Sequence, residues 1–118
     1  MSKLKKQLEE LAKVEGINSA IVVGRDGFVI DGVANGAAMD TEAVGAVVST
    51  GIGSSEVMGR ELNVGDMTQA MLEYDGGIIV TSFLGMDAIL AVVADLKANL
   101  GMVRYQVKKR IPDILKAL

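Results

Sequence analysis

The run Ala88-Ile89-Leu90-Ala91-Val92-Val93-Ala94 carries no polar residue at either alternate set of positions. In an extended strand successive side chains point to opposite faces, so a strand of this kind must be covered on both sides. It therefore predicts a central strand with a layer of structure above it and another below. The rest of the chain has to supply those layers, and three stretches with helical spacing are available to do so.

Leu4, Leu8, Leu11 and Ala12 fall on one stripe of a helix predicted over 3–15, which Gly16 ends. Ile17–Gly24 and Phe28–Val33 are β-branched and apolar runs separated by Arg25-Asp26-Gly27, the chemistry of a hairpin turn. After a loose segment at 34–38, Asp40 or Thr41 caps a second helix running to about Met58, with Glu42 in its first turn. The turn Asn63-Val64-Gly65-Asp66 leads into three more strands, Met67–Tyr74, Gly77–Leu84 and Ala88–Ala94. A third helix is predicted over roughly Leu100–Arg110 with its continuation beyond left open, since Leu100, Val103, Val107, Ile111 and Ile114 recur at helical spacing and Pro112 is a point where it can kink or divide. The order helix, two strands, helix, three strands, helix predicts an α/β fold: a three-layer α-β-α sandwich around a five-stranded antiparallel sheet. No linker or repeat divides the chain, so residues 1–118 are expected to form one domain.

The chain of 118 residues contains no cysteine and no histidine. This removes disulfides, thiolate nucleophiles, thiolate or imidazole metal sites and the commonest general base. No metal and no cofactor is expected, and no catalytic residue is assigned. A net charge of −3 and only two Tyr, two Phe and no Trp argue against nucleic acid. No apolar stretch approaches the roughly 20 residues that span a bilayer, so membrane insertion is not expected. The N-terminal segment lacks the apolar run of a signal peptide, which predicts a cytoplasmic protein.

Other constellations resolve into structure. Gly51-Ile52-Gly53-Ser54-Ser55-Glu56 resembles a phosphate loop in composition, but it lies within a helical pattern and lacks the Gly or Lys-Ser/Thr that would complete such a motif. Asp26, Asp75 and Asp87 each stand beside glycine in turns, where a carboxylate bonds local backbone. Ser54 and Ser55 have no histidine to activate them. Arg104, Lys108, Lys109, Arg110 and Lys116 gather on the last helix, where its dipole favours cations and a solvated face accounts for them.

Two features ask for a partner. Projection of the second helix places Val44, Val47, Val48, Gly51, Ile52 and Met58 toward the sheet. Ala43, Ala46, Thr50, Ser54 and Val57 stand on the opposite face, small and uncharged, which suits close packing against another helix. Gly45, Gly51 and Gly53 each cost about 0.5–1 kcal/mol in a helix interior, and association would offset this. The strand Met67–Tyr74 opens the meander, is expected at a sheet edge, and carries neither Pro nor Lys to protect that edge. A homodimer pairing these surfaces explains both features. The interface residues are then Ala43, Ala46, Val47, Thr50, Ser54, Val57, Met67, Gln69 and Met71, with Val47 counted in although the projection turns it inward. The lateral stripe Glu42, Ser49, Gly53, Glu56 and Arg60 is assigned to a further protein partner.

Several stretches, in order, resemble a known family. They are Leu11-Ala12-Lys13-Val14-Glu15-Gly16-Ile17-Asn18-Ser19-Ala20-Ile21-Val22-Val23, Arg25-Asp26-Gly27, Gly85-Met86-Asp87-Ala88-Ile89-Leu90 and Ala98-Asn99-Leu100-Gly101-Met102-Val103-Arg104. Nearly the whole chain is similar to the Roadblock family of dynein light chains and bacterial gliding-motility regulators of the MglB type, whose fold is profilin-like. The resemblance implies a homodimer or heterodimer built through the second helix and third strand. It also implies a non-catalytic role in binding or regulating Ras-like small GTPases, acting on the GTPase's own catalytic residues without an arginine finger. The alternative is a structural light chain or scaffold for a motor or other assembly with no GTPase. A third reading, a small-molecule sensor using a sheet-face pocket, is disfavoured because the sequence shows no convergent polar groups.

Overall fold

A computed structural model describes residues 2–35 and 40–118. Among these, the elements are α1 (Lys3–Ala12), β1 (Ile17–Gly24), β2 (Val29–Ala34), α2 (Thr41–Glu61), β3 (Gln69–Tyr74), β4 (Gly77–Leu84), β5 (Ala88–Asp95) and α3 (Leu100–Ala117). The strands form one sheet in the order β2-β1-β5-β4-β3, with every neighbouring pair antiparallel. The doubly apolar strand is indeed the middle one, flanked by β1 through Ile21↔Ala91 and by β4 through Val80↔Val92. The expected α/β sandwich, in its predicted order, is the fold observed.

Strand alternation places Ala20, Val22, Val80, Leu90 and Val92 on one face of the sheet, where Leu4, Leu8 and Leu11 of α1 and Val103, Val107 and Ile114 of α3 close over them. This is the main core. The other face carries α2, which lies over β1 and β2 and leaves Leu72 and Tyr74 of β3 exposed. The helices cover both faces, as the central strand requires, but unequally.

Local chemistry sets the element ends. Ser2 caps α1 by accepting from the Lys5 amide at 3.0 Å. The helix stops at Ala12, three residues short of the predicted Glu15, because the amide of Val14 turns back to Leu11 O (3.1 Å) and that of Ile17 to Val14 O (3.0 Å). In the hairpin, Asp26 accepts from the Phe28 amide at 3.1 Å and Gly27 takes a φ of +92°, the turn role expected for that pair. A register shift between Val22 and Val23 marks a bulge beside this turn. Asn99 caps α3 through the Met102 amide at 3.0 Å. That helix runs through Pro112 to Ala117 without division, so the continuation left open beyond Arg110 is realised. A proline in a helix interior costs about 3 kcal/mol. Burial of Ile114, two residues beyond it, rewards the continuation. Among the described residues no helix is long and apolar enough to cross a membrane.

Candidate functional site

Asp40 is the cap of α2, accepting from the Ala43 amide at 3.2 Å, and Glu42 follows in the first turn, favourably placed against the helix dipole. The helix meets the sheet through glycine and a few side chains. Gly45 is buried, and a Cβ there would collide with the Gly27 carbonyl oxygen in the β1–β2 turn. Gly59, further along, packs on the loop that follows α2, so close to Gly65 O that a Cβ would stand 2.9 Å away. Val48 is half-buried between them, and Ile52 is only 5% exposed.

A polar clamp completes the attachment, with Arg25 at its centre. The Arg25 guanidinium bonds the Glu56 carboxylate and lies 5.0 Å from the centroid of the Phe83 ring. Its amide donates to Asp87 O at 3.1 Å, and its carbonyl accepts from the Ser49 hydroxyl at 2.9 Å. Arg60 approaches the second Glu56 oxygen at 3.8 Å. One turn residue thereby ties the β1–β2 hairpin, the β4–β5 turn and two turns of α2 together. Sequence reading treats Arg25 only as part of a turn, because its partners lie 24 or more residues away.

These contacts correct the predicted orientation of α2. Val47, Gly51 and Met58 were expected against the sheet, yet Val47 is 70% and Met58 61% exposed, and a Cβ on Gly51 would meet nothing. A hydrophobic projection turns apolar side chains inward, whereas here glycine contacts and the Arg25 clamp set the rotation. The correction also reassigns the glycine cost. Close approach to the hairpin accounts for Gly45 without any association, while Gly51 and Gly53 have no steric reason within the chain.

The outward face consequently carries Ala43, Ala46, Val47, Thr50, Ser54 and Val57, all exposed, and is extended by Met58, Leu62 and Val64. Larger apolar residues thus join the small ones. β3 is an edge strand, as expected, with Gln69 and Met71 exposed and Met67 half-buried just before it. Of the lateral stripe, Glu42 and Arg60 are exposed, Gly53 is half-buried, and Ser49 and Glu56 are engaged within the chain. Gly51–Glu56 is helical throughout, and Ser55 donates to Gly51 O at 2.9 Å.

The chemistry this surface offers is burial and backbone pairing. Among the described residues no three carboxylates stand close enough to hold a metal ion. Away from this surface, Glu10 on α1 is held below its ordinary pKa by the hydrogen bond and charge of Lys13, 3.0 Å away.

Comparison with known proteins agrees with this architecture. An uncharacterized protein of Methanocaldococcus jannaschii is 40% identical over 111 residues, spanning 94% of this chain and 95% of its own length. The solved structure of Myxococcus xanthus MglB superposes with a TM-score of 0.90 at 18% identity, covering 97% of this chain and 93% of that one. Acanthamoeba castellanii profilin IB shares the fold more distantly, with a TM-score of 0.65 at 15% identity over 96% and 97% of the two chains. The Roadblock/LC7 domain model matches residues 3–94, from α1 through the central strand, and the chain belongs to the Roadblock/LC7 family.

Proposed function

We propose that residues 1–118 act as one cytoplasmic, non-catalytic adaptor domain that pairs with a second copy and receives a Ras-like small GTPase. The observation that carries this reading is the presence of two uncovered surfaces, the outward face of α2 and the open edge of β3. Exposed apolar area of this kind is costly in water, and an unprotected edge is a template for another strand. Pairing about a two-fold axis would join β3 to its copy and set the two α2 helices side by side, burying Ala43, Ala46, Val47, Thr50, Ser54, Val57, Met67, Gln69 and Met71. Gly51, without a steric role inside the chain, would then permit close approach of the helices.

The GTPase assignment rests on the family resemblance and on the stripe flanking the helix pair. Glu42 and Arg60 offer exposed charge there, while Ser49, Gly53 and Glu56 hold or shape the helix that presents them. The chain would act as a regulator or scaffold, altering the GTPase's own residues.

Sedimentation velocity at micromolar concentration is expected to show a dimer, and Ala46→Arg is expected to shift it to monomer. A wild-type monomer would overturn the pairing. Capture of a Ras-like small GTPase by the chain should depend on whether GTP or GDP is loaded. Equal capture in both states would indicate a scaffold without regulation.

A further inference from the structure

The sheet has a second edge, β2, and it is built differently from β3. The Asn35 amide donates to Asn18 O at 2.7 Å, and the same register continues through Ser19↔Ala34, Ala20↔Val33 and Ile21↔Gly32. Antiparallel pairs alternate between those that exchange backbone hydrogen bonds and those that do not. Val33 and Asp31 therefore turn their backbone groups toward β1, while Ala34 and Gly32 turn theirs outward, where an added strand would meet them.

Gly32, in the middle of that outer row, is already occupied. Lys5 reaches over from α1 and donates to Gly32 O at 2.7 Å and to Asp31 Oδ1 at 3.1 Å. The same carboxylate oxygen accepts from the Gly32 amide at 2.8 Å. Ser2, the cap of α1, donates to the other Asp31 oxygen at 3.4 Å. Nearer the hairpin turn, the bulge between Val22 and Val23 leaves Ile30 out of the register. A covering cation, a charged side chain on the strand and a bulge are means by which sheet edges are kept from pairing. On β3 the register is unbroken from Gln69↔Ser82 to Tyr74↔Gly77. Among the described residues, the one side chain bonded to the β3 backbone is Thr81 of the neighbouring β4.

We propose that the clasp of Lys5 and Asp31 on Gly32 closes the β2 edge to a second copy of this chain, and so decides which assembly its sheet can form. An open β3 edge can pair with its own copy about a two-fold axis, which consumes both open edges and closes at a pair. It can instead pair head to tail with the β2 edge of the next copy, which leaves an edge free at each end and continues as a filament. Blocking β2 removes the second course. A strand docking there would strip Gly32 of both partners and leave Lys5 and Asp31, half-buried, without theirs. The proposal rests on the reading that a second copy takes the β3 edge, and it involves no GTPase.

The test compares the full chain with its Lys5→Ala/Asp31→Ala variant, by sedimentation from low to high micromolar concentration and by amide hydrogen exchange. The wild type is expected to stop at one species. The variant should grow with concentration to at least about twofold the wild-type mass, with new protection at Gly32 and Ala34. Adding Met71→Lys, which places a charge on the β3 edge, should reverse that growth. Lys5→Arg, which keeps a cation within reach of Gly32 O, should behave as the wild type. If the double variant melts near the working temperature, Lys5→Ala alone, which leaves the core untouched, is read in its place. A wild-type monomer would overturn pairing through β3; the clasp then stands if its removal brings association with protection at Gly32, and falls if it does not. A folded variant that keeps the wild-type mass, or that grows with protection confined to α2, would overturn the clasp.

Discussion

Beneath α1 and α3, Leu8, Leu11, Val103, Val107 and Ile114 are completely or almost completely buried against the sheet, forming a continuous apolar layer. Beneath α2, Ile52 is the one large apolar side chain of the helix that is buried, with Val44 and Val48 half-covered. Glycine contacts and the Arg25 clamp do much of the attachment there. One face is built for cohesion. The other holds its helix by a narrow seam and leaves most of that helix's apolar surface outside, available to a second protein.

This contrast can be broken or sharpened by substitution. The largest effect is expected for Leu8→Ala, which empties a wholly buried site and should cost about 2–5 kcal/mol in urea denaturation. A loss well below that range would mean the two faces do not differ in cohesion as described. Gly45→Ala comes next. Alanine ordinarily stabilises a helix, but here its Cβ would meet the Gly27 carbonyl and lift α2, so a net loss of roughly 1–3 kcal/mol is expected. A stabilised Gly45→Ala protein would show that the helix seats loosely. Gly51→Ala, six residues later, has open space around its Cβ and should stabilise the monomer by about 0.5–1 kcal/mol. If Gly51 permits close approach of a second helix, the same substitution should weaken the dimer, a change that sedimentation reads separately from denaturation.

Much of the architecture was legible from apolar periodicity. Ala88–Ala94 announces a strand buried on both faces, and Leu4, Leu8 and Leu11 announce a one-sided helix, because burial on a regular element leaves a period in the sequence. Turn glycines and aspartates are equally direct, as Asp26 and Gly27 show. The rotation of α2 was not legible. A projection weighs side chains and is blind to glycine seats, so it turned Val47 and Met58 inward, while Gly45 makes the close contact with the hairpin. The continuation of α3 past Pro112 was half legible: the helical spacing extends to Ile114, but that burial two residues beyond the proline outweighs its local penalty was decided by packing.

The candidate surfaces divide along the same line. The exposed small residues of α2 and the unprotected third strand are properties of composition along one element, and the sequence displays them. Arg25, bonding Glu56 and Ser49 and lying over the Phe83 ring, joins residues more than 20 positions apart. By itself the sequence determined which elements form, their order, and the need for cover on both sides of the central strand, because those follow from local periodicity and burial. Tertiary structure decided which side of α2 faces out and which distant polar groups meet. Both depend on distances between elements that no local pattern encodes.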